Sequence, residues 1–322
     1  MIFGKHLLAA LCIGAAPPCV AARDYPAKPI RLVVPNGVGG STDLVARTVA
    51  HRLTENLGQQ VLMDNRGGSG GIIGTELVAR AARDGYTLLM GTIGNLAISP
   101  HLYRNLSYDP IRDFAPVTQV SSAAYILLVS PSLPAKSVKE LVGLAKAAPG
   151  QLAYASAGSG TGSHLTAELF LAVAAIRLTH VPYKGGAPGI TDLISDRVQM
   201  MYNGIPASLP HMKAGRVRAL AVTTAGRVSV TPDLPTFAEA GYPAAESTSW
   251  TGVLAPAGTP RAIVDRLNAG LRAVLQSSDI KDRLVSHGAE PIGNSPEVFG
   301  AFIKAELGKW GKVVSATGTR AD

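Results

Sequence analysis

Cysteine is almost missing from this chain of 322 residues: Cys12 and Cys19 are the only two, and none follows. Beyond position 19 that excludes disulfide staples, thiolate metal sites and a thiol nucleophile. Aromatic residues are scarce at 5%, and charged residues make up 16%. The net charge is +8 and the pI about 9.6, yet Lys and Arg are dispersed, with no basic run and no interleaved aromatics. A nucleic-acid surface is therefore not expected, while a modest pull on acidic small ligands is compatible with the excess. The seven histidines show neither H-x-x-x-H nor H-E-x-x-H spacing, so no metal site is expected. GxxxxGK[ST] is absent, and G-x-G-x-x-G fails at 158–163 because Ser163 takes the last place. No carboxylate pair stands out, and no cofactor is expected.

What is present begins with a segment unlike the rest. Residues 1–22 carry one Lys, an apolar run over 7–16, and Val20-Ala21-Ala22 at the exit. The pattern predicts a cleaved secretory signal peptide, its apolar run too short to span a bilayer. Export to the periplasm follows as an expectation. The remainder is long enough for about two domains and rich enough in apolar residues, 47% overall, to bury a core without staples.

Past the signal, short apolar runs alternate with amphipathic stretches. Strands are predicted at 30–35, 59–66 and 86–92, with helices at 43–58 and 70–85 between them. The alternation resumes from a strand at 123–131 and continues to one at 218–224. Within it, Ser137 and Glu140 form a capping box ahead of a helix. Three helices, at 260–276, 279–287 and 296–317, close the chain. The predicted class is α/β. The last segment has too few strands for its own sheet, so it is expected to return to the first domain. That gives one discontinuous lobe, 23–124 with 223–322, and a second lobe, 125–222. Ligands in such folds sit beyond the carboxyl ends of strands, in a cleft between lobes.

Two loops carry the chemistry. In PNGVGGSTD (35–43) an apolar strand gives way to glycines and small hydroxyls before a helix. Helix N-termini hold unpaired N–H groups, and glycine lets backbone approach an anion. SAGSGTGS (156–163) repeats the device. An anion clamped between the two is the expectation. Asn36, Gly37, Gly39, Gly40, Ser41 and Thr42 hold one side, with Asp43 capping and ordering the loop. Ala157, Gly158, Ser159, Gly160 and Thr161 hold the other, with His164 beside them. Thr92, Tyr183 and Asn203 read the rest of the ligand. A competing reading is a secreted hydrolase: Gly67-Gly68-Ser69-Gly70-Gly71 matches G-x-S-x-G, with Ser69 as nucleophile between strand and helix. His101, His164, His180, His211 and His287 are the available bases, but no acid partner is recognisable.

Taken in order, YPAKPIRLVVP, GGSTDLVAR, DNRGGSGGIIG, DGYTLLMGT, DFAPVTQV, ASAGSGTGSHLTAELF, HVPYKGGAP, LPHMKAGRVRALAVTT, DLPTFAEAGYP and WTGVLAPAGTP give the chain, over nearly all its length after the signal, the look of a known family. It resembles the substrate-binding proteins of tripartite tricarboxylate transporters, the Bug family of extracytoplasmic solute receptors. The resemblance implies a two-lobed, Venus-flytrap (type II) periplasmic binding protein and no catalysis. It implies a monomer that holds a small carboxylate between loops like 36–43 and 156–164, largely through backbone groups. Its expected partners are the membrane permease subunits of such a transporter, or a sensor kinase. Two departures stand out. Asn36-Gly37-Val38 replaces a Phe-Pro-rich stretch, and Asn203 stands where many members have Asp. A neutral Asn203 is expected to admit a second carboxylate or an aromatic acid.

Overall fold

A computed structural model describes residues 25–320; the expected signal peptide at 1–22 lies outside the described residues. The chain runs β1 (Ile30–Val34), α1 (Ser41–Leu57), β2 (Val61–Asn65), α2 (Ile72–Ala79), β3 (Thr87–Thr92) and α3 (Ser99–Leu102). Next come β4 (Phe114–Val129), α4 (Val138–Ala147), β5 (Ala153–Ser156), α5 (Gly162–Ala174), β6 (Thr179–Pro182), α6 (Gly186–Ile194), β7 (Met200–Gly204), α7 (Ile205–Lys213) and β8 (Arg218–Val222). It ends with β9 (Thr248–Pro256), α8 (Arg261–Gln276), α9 (Ser278–Ser286), β10 (Ala289–Pro291) and α10 (Pro296–Thr317).

Two sheets share one strand. β2, β1 and β3 pair in parallel, and β9 and then β4 continue that sheet antiparallel. β4 changes partners along its length. Residues Phe114–Ala124 pair with β9, and Ser121–Ala123 also with β10, whereas Tyr125–Val129 pair with β7 and Ile126–Val129 also with β8. From β7 the second sheet continues in parallel to β5 and β6. The chain crosses between sheets at 124–125 and again between Thr223 and Thr248. The result is two lobes joined by two crossings.

Alternation along the strands sends side chains to both faces. Ile30, Leu32 and Val34 pack with Leu53, Leu267 and Leu271 beneath α1 and α8. Val33 and Leu89 pack on the opposite face with Phe299, Ile303 and Trp310 of α10. In the second lobe, Leu127, Phe170 and Tyr202 fill one face, and Ile126, Ile190 and Met201 the other. α1 buries Val45, Val49, Leu53 and Leu57, one helical stripe, and stops at Gly58, whose left-handed backbone (φ 68°) returns its N–H to Thr54 O.

Several elements differ from the sequence expectations; α3 and β10 had no predicted counterpart. β4 begins at Phe114, well before 123, and β9 is a nine-residue strand where none was predicted. The helix expected over 70–85 spans only Ile72–Ala79, its end followed by turns. α7 starts at Ile205, directly on the Asn203-Gly204 strand end, with Pro206 in its first turn. At α4, Ser137 Oγ accepts from Glu140 N (3.2 Å) as predicted, while Glu140 reaches Lys136 N (2.6 Å) rather than Ser137 N.

Candidate binding cleft

The carboxyl ends of β1, β3, β5 and β7 all point at the gap between the lobes. Two adjoining cavities lie there, of about 60 Å³ and about 230 Å³, sharing Asn36, Gly37, Ala157, Thr161 and Gly185. The lobes meet around them almost backbone to backbone. A methyl group on Gly37 would stand 2.5 Å from Lys184 O, one on Gly70 2.5 Å from Ser159 O, and one on Gly94 3.1 Å from Thr161 Cα. A methyl on Gly204 would overlap the Ser41 side chain. Only glycine permits this approach, so the described conformation is a closed one.

The smaller cavity collects helix N-termini. It is lined by Gly40, Ser41 and Thr42 of α1, by Thr161, Gly162 and Ser163 of α5, by Gly185 and Gly186 of α6, and by Asn203 and Gly204 ahead of α7. None of the four helices has a capping side chain. Each end carries roughly half a positive charge with free N–H groups. No Lys or Arg lines this cavity, so its positive potential comes from backbone dipoles. Buried Ser41 Oγ and Asn36 Oδ1 have no hydrogen-bond partner among the described residues. Both residues line the cavity, and a buried polar group without a partner is costly unless a ligand or water supplies one.

The two glycine-rich loops are built differently. In the first, buried Asp43 accepts from Gly39 N (2.9 Å), Arg47 Nε (2.9 Å) and Asn65 Nδ2 (2.9 Å). Burial pushes its carboxyl up, but these hydrogen bonds outweigh it and hold the pKa below the usual carboxylate range. Asp43 thus orders the loop from behind. It does not cap the helix as expected, because the cap position falls to Gly40. Asp43 and Gly39 do not line either cavity.

In the second loop the polar groups satisfy each other. Ala157 N donates to Ser163 Oγ (3.0 Å), Gly158 N to Ser156 Oγ (3.1 Å), Gly160 N to His164 Nδ1 (3.1 Å) and Thr161 N to Gly158 O (3.2 Å). Thr161 Oγ1 also donates to Gly158 O (2.7 Å). The expectation that these N–H groups clamp the anion is corrected accordingly: short spacing and Ser/Thr side chains let the loop close on itself. Gly160 and His164 stand behind the cavity wall. His164 stacks on His180 at 4.1 Å, and His180 on Tyr154 at 4.8 Å. His180 Nε2 meets Ser156 Oγ at 2.7 Å. Burial pushes His164 down to about 3, helped by His180, and pushes His180 down to about 4. Both rings are neutral, and His164 Nδ1 serves as an acceptor.

Of the remaining predicted residues, Gly158, Ser159 and Tyr183 line the larger cavity, and Thr92 and Asn203 the smaller. Tyr183 cannot offer its hydroxyl to a ligand as expected, because it donates to Asp192 (2.7 Å). Only its ring is available. Sequence reasoning missed Tyr125 and Ser249, which line the smaller cavity from the crossing strands β4 and β9, and the wall formed by residues 67–71. Ser69 belongs to that wall, in a strained left-handed backbone (φ 46°). Neither cavity is lined by a histidine, Asp or Glu; the residue with an amine that shares the larger cavity with Ser69 is Lys184.

Comparisons with known proteins agree with this two-lobed fold. The profile described as "Tripartite tricarboxylate transporter family receptor" matches residues 45–319. Protein BugT of Bordetella pertussis is 38% identical over 308 residues, covering 95% of this chain and 94% of its own. The structure of Rpa4515 from R. palustris with adipate superposes with TM-score 0.89 at 42% identity, over 92% of this chain and 99% of that one. MatC from Rhodopseudomonas palustris with bound malate gives TM-score 0.87 at 33% identity, over 90% and 100%.

Proposed function

The chain belongs to the tripartite tricarboxylate transporter receptor family, and from that premise we propose that it is a periplasmic receptor that captures a small carboxylate between its lobes and delivers it to the membrane permease of such a transporter. The observation that carries the reading is the convergence of four uncapped helix N-termini on one inter-lobe cavity free of cationic side chains. Such a site favours an anion and suits the planar, two-oxygen acceptor of a carboxylate. Among the described residues we assign 25–124 with 223–320 to one lobe and 125–222 to the other. α1 belongs to the first; α5, α6 and α7 belong to the second. Only the closed arrangement presents all four ends together, so an anion stabilises closure through contacts the open state lacks. Adipate and malate in two similar proteins support the ligand class. Ser41 donates its free hydroxyl to the carboxylate, the first-turn N–H groups supply the rest, and the larger cavity holds the body of the acid.

A thermal-shift panel on protein stripped of ligand by unfolding and refolding tests this. A ligand at 100 times its Kd adds about 2.7 kcal/mol, a shift of a few degrees at this size. Stabilisation by carboxylic acids and not by their amides or methyl esters is the expected result. Equal shifts with the amides would exclude anion recognition. Turnover of an ester that disappears in Ser69→Ala would favour the hydrolase instead.

A further inference from the structure

We infer that the acid bound here carries a neutral hydrogen-bond donor, a hydroxyl, close to its carboxylate, and that Thr92, Asn203 and Asn36 are the acceptors that read it. The inference rests on the receptor reading above and narrows its ligand class.

The polarity of Thr92 and Asn203 is fixed by their partners. Thr92 N donates to Asn95 Oδ1 (2.7 Å), which identifies that atom as the amide oxygen. Thr92 Oγ1 also lies 2.7 Å from Asn95 Oδ1, so the hydroxyl proton points there. Asn95 is fully buried and cannot turn, because its Nδ2 donates to Thr75 Oγ1 (2.6 Å), which in turn donates to Gly71 O (2.8 Å). Thr92 lines the cavity and has only lone pairs left to offer it. Asn203 is governed the same way. Ser208 Oγ spends its proton on Gly204 O (2.8 Å), so it accepts from Asn203, and the atom facing it at 3.2 Å is Nδ2. The opposite atom, Oδ1, is directed at Gly186 on the cavity wall. Asn203 is 5% exposed, and no described residue donates to that oxygen. Asn36 Oδ1 is a third acceptor without a partner.

A cavity ringed by helix N-termini thus carries side-chain acceptors where an unsubstituted acid has nothing to donate. A carboxylate satisfies the N–H groups and Ser41; it leaves the three oxygens without a donor. A hydroxyl on a neighbouring carbon has one proton to give, and Thr92 Oγ1, Asn203 Oδ1 and Asn36 Oδ1 are the acceptors that compete for it. An ammonium is also a donor, but no Asp or Glu lines either cavity and the surrounding dipoles are positive, so the neutral donor fits better.

The test uses matched acids that differ at one substituent, titrated calorimetrically into the stripped protein: L-malate, succinate and L-aspartate, then mandelate and phenylacetate. The hydroxy acid of each set is expected to bind about ten-fold or more tightly than its unsubstituted analogue, with aspartate no better than succinate. Unsubstituted acids binding as tightly as hydroxy acids, or aspartate binding best, would overturn the inference and leave the receptor reading intact. If no carboxylic acid binds a folded protein, both fall. In Thr92→Val the malate affinity should drop by about ten-fold more than the succinate affinity, and Asn36→Ala should show the same split. An equal change for the two acids in both variants would assign these residues a structural role only.

Discussion

The loops at 36–43 and 156–163 look alike in sequence, each a strand end, several glycines, small hydroxyls and a helix start. They do opposite things with their polar groups. The first is tied from behind by one ionised side chain, Asp43, and leaves Ser41 Oγ and Asn36 Oδ1 unpaired at the cavity. The second spends the N–H groups of Ala157, Gly158, Gly160 and Thr161 inside itself and rests on two neutral imidazoles. A glycine-rich strand-to-helix loop is therefore an anion site only to the extent that its donors have no nearer acceptor. What both loops share is the uncapped helix behind them, and that is where the second lobe makes its contribution.

The largest test of this contrast is pH. His164 and His180 have folded pKa values below their unfolded value of about 6.5, so they favour folding fully above that pH. Below it the unfolded chain takes up protons that the native state refuses, and stability falls, by up to about 1.4 kcal/mol per pH unit for each histidine until the folded values near 3 and 4 are reached. Asp43, whose pKa is also depressed, keeps its contribution until the pH drops below about 4. Urea melts from pH 7 to 4.5 should therefore lose stability, and a His180→Phe variant should flatten part of that slope. A slope unchanged in the variant would break the assignment. Next in size, Asp43→Ala should cost about 2–3 kcal/mol by leaving the Gly39 N–H and Asn65 without their acceptor, measurable as a lower urea midpoint.

Gly37→Ala separates closure from folding. Its Cβ would strike Lys184 O only when the lobes meet, so the melting temperature without ligand should hold while acid affinity falls about ten-fold or more. Loss of stability with affinity retained would contradict the closed-state reading. The smallest effects make the sharpest comparison between loops. Ser163→Ala removes the acceptor of Ala157 N and should cost about 1 kcal/mol of stability. Ser41→Ala removes a hydroxyl without a partner and should leave stability unchanged while weakening the acid by about five- to ten-fold. Identical profiles for the two alanines would erase the distinction between an open loop and a self-closed one.

Much of this was legible in the sequence because local pattern decided it. The parallel strands β1, β2, β3, β5, β6 and β7 are short, apolar and bounded by glycine or polar turns, and the helices carry clear stripes. The crossing strands were not legible. β4 starts with Phe-Ala-Pro and runs through Thr118, Gln119, Ser121 and Ser122; its register shifts at Pro116–Thr118 and Gln119–Ser121, so the two-residue period is broken. Pro116 is tolerated at such an irregularity. β9 carries Gly252 in mid-strand because the Phe299 ring occupies the place of a side chain. Neither fact shows in a window of ten residues. For the same reason Tyr125 and Ser249 went unnoticed as cavity residues, since long-range pairing brings them there. Ser41, Thr42 and the glycines near them were readable from type and position. The internal bonding of the second loop was not, because it depends on where His164 and Ser163 fall one helical turn later.

The meeting of the lobes through glycine and carbonyl, at Gly37 with Lys184 and Gly70 with Ser159, has a consequence for speed and entropy. Side chains that interlock must first find their rotamers and then give up that freedom, about 0.5–1.5 kcal/mol for each long one held. Backbone already fixed by its own strands and helices has no such search to make and no such freedom to surrender. Closure around an acid then costs little order at the seam. On the proposed reading, the motion left to closure is rotation about the two strand crossings.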